Sequence, residues 1–337
     1  MGIQTLVVGM RERIERARPT IDPAIEVTYA EVQPLDALAP LLAAAEVLYP
    51  MSGLRVDEAL LAWAPRLRLV QVSSTGYDYI DLAAAARRGI PVCHVPGANA
   101  LSVAEHVFLL MLALYRRLIP NHLGIVAGEY AAAKRRDMAT GIYDLYGKTL
   151  GIVGFGRIGR QVARRAIPFE LTTLYYDIVR PDPIEEQTYQ VRYAPLPELL
   201  ATVDILTVHV PLEPATYHLI GDAELALMKP SAIVINTARG PLVDPAALAA
   251  RVADGRLAGA AVDVFEREPA PPDDPLVRLA ASGCDRLVLT THLAGVTHEA
   301  GQRSIQRAFD NIARLARGEP LQAVVNGVAA PRPAVAP

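Results

Sequence analysis

The chain has 337 residues, 52% of them hydrophobic and 20% charged, with a formal net charge of -3. That length predicts about two domains with substantial cores, and the composition is that of a globular protein and not of a disordered one. The charges form no basic stripe, which excludes a nucleic-acid backbone as direct ligand, and no apolar run reaches the roughly 18 residues of a membrane span.

The opening "MGIQTLVVGMRERIER" places its apolar run before its charges and lacks a small-residue cleavage site. It reads as a first strand and helix, not as a signal peptide, and Leu6 stands where a myristoylation motif carries Ser or Thr. From residue 3 to 93, the apolar runs "IQTLVVG", "AIEVTYA", "AAEVLYP", "RLRLVQVSS" and "IPVCHV" alternate with "LDALAPLLAA", "VDEALLAWA" and "YIDLAAAARR", whose apolar residues fall at helical spacing. The alternation predicts a first parallel sheet with helices on its faces. Cys93 and Cys284 are the two cysteines. They have neither metal-ligand spacing nor a disulfide framework, so no metal is expected and a reducing cytoplasm fits.

"NALSVAEHVFLLMLALYRRLIP" predicts one long helix, with Ser102 and Glu105 spaced as a capping box at its start. After the polar stretch "AAAKRRDMATG", seven further strands are expected: "KTLGIVG", "LTTLYYD", "YQVRYA", "VDILTVHV", "SAIVIN", "LAGAAVDVF" and "DRLVLTTH". With helices between them they form a second, larger doubly wound unit. "THEAGQRSIQRAFDNIARLARG" reads as a helix ending at Gly318, and the Pro- and Ala-rich tail "AAPRPAVAP" as disordered.

"KTLGIVGFGRIGRQVARRA" sets Gly154, Gly156 and Gly159 in a G-x-G-x-x-G pattern between a strand and a helix. The first glycine allows a tight turn, the second lets the backbone approach a pyrophosphate, and the third permits close helix packing. The pyrophosphate would rest on the helix amino terminus around Arg157 and Ile158. Asp177 ends the next strand, where a carboxylate accepts from the adenosine ribose hydroxyls and repels a 2'-phosphate. NAD is therefore favoured over NADP, although Arg180, close by in sequence, argues the other way.

Three polar residues follow later strands: Arg239 after "SAIVIN", Glu268 after "LAGAAVDVF" and His292 after "DRLVLTT". Ligands of an open parallel sheet bind beyond the carboxyl ends of its strands. An arginine there can hold a carboxylate through paired hydrogen bonds and polarise the neighbouring carbonyl. His292 can give a proton to that carbonyl as hydride arrives, and Glu268 beside it would favour the protonated ring and fix its tautomer. The combination predicts hydride transfer to a keto acid.

"TLGIVGFGRIGRQVARRA", "INTARGPLVD", "AGAAVDVFEREP" and "THLAG" closely resemble the D-isomer-specific 2-hydroxyacid dehydrogenases, over about residues 3 to 327. The resemblance implies Arg239, Glu268 and His292 as catalytic residues, with Thr291 standing where the family usually carries Pro. It implies that Asp263 contacts the nicotinamide carboxamide, that Thr237 and Ala238 of the "NTARG" motif line the cofactor, and that His209, Val210 and Pro211 line the adenosine. It implies that Thr75 and Gly76 of "SSTGYD" bind the substrate carboxylate, together with Arg239, that Asn99 is a further substrate-binding residue, and that Asn99 and the "SVAEH" helix match the hinge and a homodimer interface. The fold it implies is α/β, with two doubly wound parallel-sheet domains. A flavodoxin-like substrate domain (1–100 plus 293–330) would receive a Rossmann NAD-binding domain (101–292) as an insertion, with a tail at 331–337. Glu268 disfavours formate, since the formate dehydrogenases of the superfamily carry Gln there, and Thr75 disfavours phosphite.

The expected protein is thus a cytoplasmic homodimer, an NAD-dependent enzyme that interconverts a small 2-keto acid and its D-2-hydroxy acid, with "PMSGL" and "STGYD" shaping the substrate pocket. The alternative is an NAD(H)-sensing, corepressor-like interaction protein with little turnover.

Overall fold

In a computed structural model, residues 2–9, 11–32, 34–50 and 54–333 are described, and they divide into two units. One runs to Asn99 and resumes at Thr297; the other is Ala100–Val296. Met51, Ser52 and Gly53 of the "PMSGL" pocket expectation lie outside the described residues.

The first unit holds β1 (Ile3–Val8), β2 (Ile25–Ala30), β3 (Val47–Pro50), β4 (Leu69–Gln71) and β5 (Val92–Cys93), paired in parallel in the order β2-β1-β3-β4-β5. This is the 2-1-3-4-5 order of a flavodoxin-like sheet. Period-two alternation puts successive β1 side chains on opposite faces. Leu6 and Val8 pack with Leu38, Leu42, Leu60 and Leu61 from the helices Leu35–Ala44 and Glu58–Ala62, whereas Val7 packs with Ile14, Ile305, Phe309 and Ile312. The helix His298–Ala316 therefore closes one face of this sheet. Thr297 caps it, accepting from the Ala300 amide at 3.1 Å, and Gly318 follows it at φ 68°. At the tail, Arg332 donates to the carbonyls of Leu67 (2.6 Å) and Ala64 (3.2 Å), and residues 334–337 lie outside the described residues.

The second unit holds β6 (Thr149–Val153), β7 (Thr172–Tyr176), β8 (Val191–Tyr193), β9 (Ile205–Val208), β10 (Ile233–Asn236), β11 (Gly259–Val262) and β12 (Leu287–Leu289). All are parallel, in the order β12-β11-β10-β9-β6-β7-β8. Counted within the unit this is 3-2-1-4-5-6 with a seventh strand added, the Rossmann order. Both faces are covered: Leu206, Val234 and Ala260 belong to one apolar cluster, and Ile152, Ile205, Ile233 and Ile235 to the other. The fold class read from the alternating runs is the fold observed.

Two helical expectations need correction. The single helix over 99–120 is two, Ala100–Tyr115 and Leu118–Val126, because Arg117 takes a left-handed backbone (φ 49°) while its buried guanidinium pairs with Asp137 at 2.8 Å and also with Asp285. The first of them begins at Ala100, so Ser102 lies inside its first turn and does not cap it, and Glu105 pairs instead with Arg165 at 3.1 Å. The polar stretch that follows contains a further helix, Tyr130–Thr140.

Candidate active site

β6 and β9 are neighbours at the point where the strand order reverses, which is where a doubly wound sheet opens a crevice beyond its carboxyl ends. Gly154 directly follows β6 with φ 98°, in the region that favours glycine, and a Cβ there would lie 2.6 Å from the His209 carbonyl carbon. A Cβ on Gly159 would lie 2.3 Å from the Gly154 oxygen, whereas one on Gly156 would meet nothing within 4 Å. The outer glycines are thus packed and the middle one faces open space, as close approach by a pyrophosphate requires. Gly156 is also the N-cap of the helix Arg157–Ala166, and no side chain caps it. The first-turn amides, Arg157 and Ile158 included, and the positive end of the helix dipole suit an anion.

Asp177 stands one residue beyond β7, tied to the glycine turn itself: its Oδ2 accepts from the Phe155 amide at 2.6 Å and its Oδ1 from the Val179 amide at 2.9 Å. Arg180 is engaged elsewhere, 3.2 Å from Glu186 and 4.5 Å from the ring centre of Tyr193. At the end of β9, His209 Nε2 lies 2.9 Å from the Thr207 hydroxyl, while its buried Nδ1 has no hydrogen-bond partner among the described residues. At the end of β10 the buried Thr237 hydroxyl is likewise without a partner. Buried polar atoms are seldom left so; two of them at adjacent strand ends, beside an open glycine turn, fit a polar cofactor that completes them. Val210 and Pro211 follow His209, and the Val210 amide also borders Gly154. Ala238 donates its amide to the Asn236 side chain at 3.1 Å.

Burial pushes the His209 imidazole down from 6.5 to about 3. Between those values the unfolded chain takes up a proton that the folded ring refuses, so this residue makes the fold lose stability as the pH falls below about 6.5. A His209→Gln variant is therefore expected to lose less stability than the parent between pH 7 and pH 4, measured by denaturant unfolding at each pH. Equal losses in the two proteins would contradict a neutral, buried ring.

Arg239, Glu268 and His292 follow β10, β11 and β12, three consecutive neighbours in the sheet. His292 Nδ1 is 2.7 Å from Glu268 Oε2, and Glu268 Oε1 accepts from the Phe265 amide at 3.0 Å. The two side chains remain 47% and 38% exposed, open to a reactant. Because a carboxylate only accepts, Nδ1 carries the hydrogen and Nε2 is the nitrogen left for proton exchange. Arg239 is half-buried and donates from one guanidinium nitrogen to the Ala238 carbonyl at 2.7 Å, and its own carbonyl accepts from the Asn236 side chain at 2.8 Å.

His292 has a left-handed backbone, φ 56°, uncommon for a residue with a side chain. What holds it there is Asp263, which is fully buried. The Asp263 carbonyl accepts from the His292 amide at 2.7 Å, and its carboxylate accepts from the Thr290 hydroxyl (2.5 Å) and the amides of Leu293 and Ala294 (both 2.8 Å). His106 Nε2 lies 3.3 Å from the Thr290 hydroxyl. These contacts present His292 with Thr291 at the position where a proline was the family norm. They also make Asp263 a holder of that segment.

Within the first unit, the loop 73–76 follows β4. The Thr75 hydroxyl donates to Asn99 Oδ1 at 3.2 Å, His94 Nδ1 lies 2.9 Å from the Thr75 carbonyl, and the Ser74 hydroxyl donates to the Gly76 carbonyl at 2.6 Å. Thr75 and Asn99, singled out separately by the resemblance, are thus in contact. Sequence reasoning missed Thr290, Thr207 and His106, although Thr290 could have been suspected from its place two residues before His292. Among the described residues, no group of three or more His, Cys, Asp or Glu is disposed to hold a metal ion, and no helix is long and apolar enough to cross a membrane.

Residues 108–294 match the family model described as D-isomer specific 2-hydroxyacid dehydrogenase, NAD binding domain. The chain is 40% identical over 297 residues to a glyoxylate reductase of Korarchaeum cryptofilum, covering 88% of this chain and 84% of that one. It is 41% identical over 272 residues to a glyoxylate reductase of Thermofilum pendens, covering 81% and 78%. The solved structure of D-lactate dehydrogenase from Aquifex aeolicus, complexed with NAD and lactic acid, superposes with a TM-score of 0.79 at 28% identity over 94% of this chain and 96% of that one.

Proposed function

The chain belongs to the D-isomer-specific 2-hydroxyacid dehydrogenases and is an NAD-dependent oxidoreductase, and on that premise we propose that it interconverts a small 2-keto acid and its D-2-hydroxy acid, with His292 as the acid and base. Glyoxylate, hydroxypyruvate and a pyruvate-like acid are the candidate substrates. The observation that carries this reading is the 2.7 Å pair of His292 and Glu268 on the strand end next to the one that leads to Arg239.

Bound NADH supplies the hydride. Gly154, Gly156 and Gly159, the amides of Arg157 and Ile158, Asp177, His209 to Pro211, Thr237 and Ala238 would hold the cofactor. Arg239 would grip the substrate carboxylate by two N–H groups and draw charge towards the carbonyl oxygen. His292 Nε2 would deliver a proton to that oxygen in reduction and recover it in oxidation, with Glu268 accepting the Nδ1 hydrogen throughout and stabilising the charged ring. Asp263 keeps the imidazole on station. In the first unit, Thr75, Gly76 and Asn99 remain the proposed substrate-binding residues. The corepressor-like alternative draws no support from relatives that carry enzyme names.

Loss of NADH absorbance with glyoxylate, hydroxypyruvate, pyruvate, phenylpyruvate and 2-oxoisocaproate, repeated with NADPH, tests the reading. Turnover on at least one acid, faster with NADH, is expected, since Asp177 opposes a 2'-phosphate. Tight NADH binding without turnover on any acid would overturn it.

We also place the protein in the cytoplasm, on its two free cysteines, and propose a homodimer. The helices Leu118–Val126 and Tyr130–Thr140 expose Leu118, Leu123, Ile125, Val126, Tyr130 and Met138, each more than half exposed. So many exposed apolar side chains on neighbouring helices suit an interface between copies of the chain. Sedimentation should give twice the chain mass, and Leu123→Asp should move the protein towards the monomer; a monomeric parent would remove the proposal.

A further inference from the structure

Outside the His292–Glu268 pair, one residue touches both segments that carry the proposed chemistry, one through its side chain and the other through its backbone. His218, between β9 and β10, has its Nε2 2.7 Å from Glu266 Oε1, and Glu266 is two residues before Glu268. Its amide donates to the Pro241 carbonyl at 2.7 Å, and the Ile220 amide to the Leu242 carbonyl at 3.1 Å, which stitches residues 218–220 to the turn Gly240–Leu242 just after Arg239. That turn lies directly on the other segment, since a Cβ on Gly240 would be 2.1 Å from the Phe265 carbonyl carbon. Asn236, Gly240, Phe265 and Glu266 also share, with apolar residues such as Val243 and Leu248, the lining of one small cavity. The ring of His218 stacks on Tyr217 with centroids 4.1 Å apart, and its backbone is left-handed at φ 48°. Asp244 Oδ2, 3.9 Å from Nδ1, is too distant for a hydrogen bond, so the ring is committed to Glu266.

We propose that His218 is a positioning residue of the dehydrogenase reaction, its bridge to Glu266 holding the Glu268-bearing segment against the Arg239-bearing turn. The proposal rests on the function proposed above. His218 and Glu266 are 29% and 33% exposed, and a pair so exposed to water contributes little to stability. Alignment of reacting groups is far more sensitive, because a misplacement of about 1 Å can cost about a hundredfold in rate. The bridge should therefore matter to turnover more than to folding.

The test uses His218→Asn, whose side chain tolerates a left-handed backbone, Glu266→Gln, and the two combined. Each single change should lower kcat about tenfold, with NADH affinity and melting temperature nearly unchanged, and the double variant should be no worse than either, as for residues acting as one unit. A second readout needs no turnover. In histidine-labelled protein, the ring signals of His292, one of seven histidines, are assigned by their loss in His292→Asn, and they should move in both single variants. Unchanged kcat with unmoved His292 signals, losses that add in the double variant, or NADH affinity and melting temperature falling alongside kcat would each overturn the proposal. If the parent reduces none of the acids, the function reading fails and the His292 signals alone decide whether the bridge positions that ring.

Discussion

Replacing His292 by Ala is expected to lower the rate of 2-keto acid reduction by about 10²- to 10⁴-fold, the usual contribution of a positioned proton donor, while NADH should bind as before. The separation follows from where the groups stand. His292 comes after β12, whereas the glycine turn, Asp177 and His209 come after β6, β7 and β9. The loss would be chemical, because the imidazole combines a nitrogen fixed by Glu268 with a second one placed to exchange a proton. Glu268→Gln should fall between the parent and His292→Ala: an amide oxygen can still accept from Nδ1, but it brings no charge to stabilise the protonated ring. Steady-state rates with the best acid, alongside NADH titration by fluorescence, measure both quantities. A His292→Ala protein that keeps most of its turnover removes this residue from the mechanism.

Replacing Arg239 by Ala is expected to lower kcat/KM by about 10²- to 10³-fold, comparable with the loss of a donor that stabilises developing negative charge. The loss should be divided between a raised KM for the keto acid and a reduced kcat, because the same guanidinium would both grip the carboxylate and polarise the carbonyl. Arg239→Lys keeps the charge but lacks the planar fork, so it should recover only part of the loss. Its backbone setting should survive either change, being fixed by Asn236 and by the close seat of Gly240 on Phe265. Full activity in Arg239→Lys would show that a point charge suffices and would reject two-pronged recognition.

The twelve strands among the described residues were legible because parallel strands buried on both faces are short continuous apolar runs, as in "ILTV" and "IVIN". The helix Tyr130–Thr140 was not, since "YAAAKRRDMAT" buries only Ala133 and Asp137 and presents no apolar stripe. Nor was the break at Arg117, whose cause is an acid 20 residues away and another 168 residues away. The candidate site divides in the same way. Arg239, Glu268 and His292 declare themselves by polarity at strand ends. The contacts that aim them, Thr290, Leu293 and Ala294 on Asp263 and His218 on Glu266, join residues 27 to 48 positions apart, and no local pattern announces them.

The helix His298–Ala316 supplies Ile305, Phe309 and Ile312 to the core around β1. Consequently, the order of synthesis is not the order in which cores become complete. A ribosome delivers β1 to β5 first, yet their sheet lacks one covering helix until some 200 intervening residues, Ala100–Val296, have been made. Domains commonly mature from the amino terminus as they emerge. Here the nucleotide unit has its whole sequence available earlier, and the unit begun first is the last to be sealed.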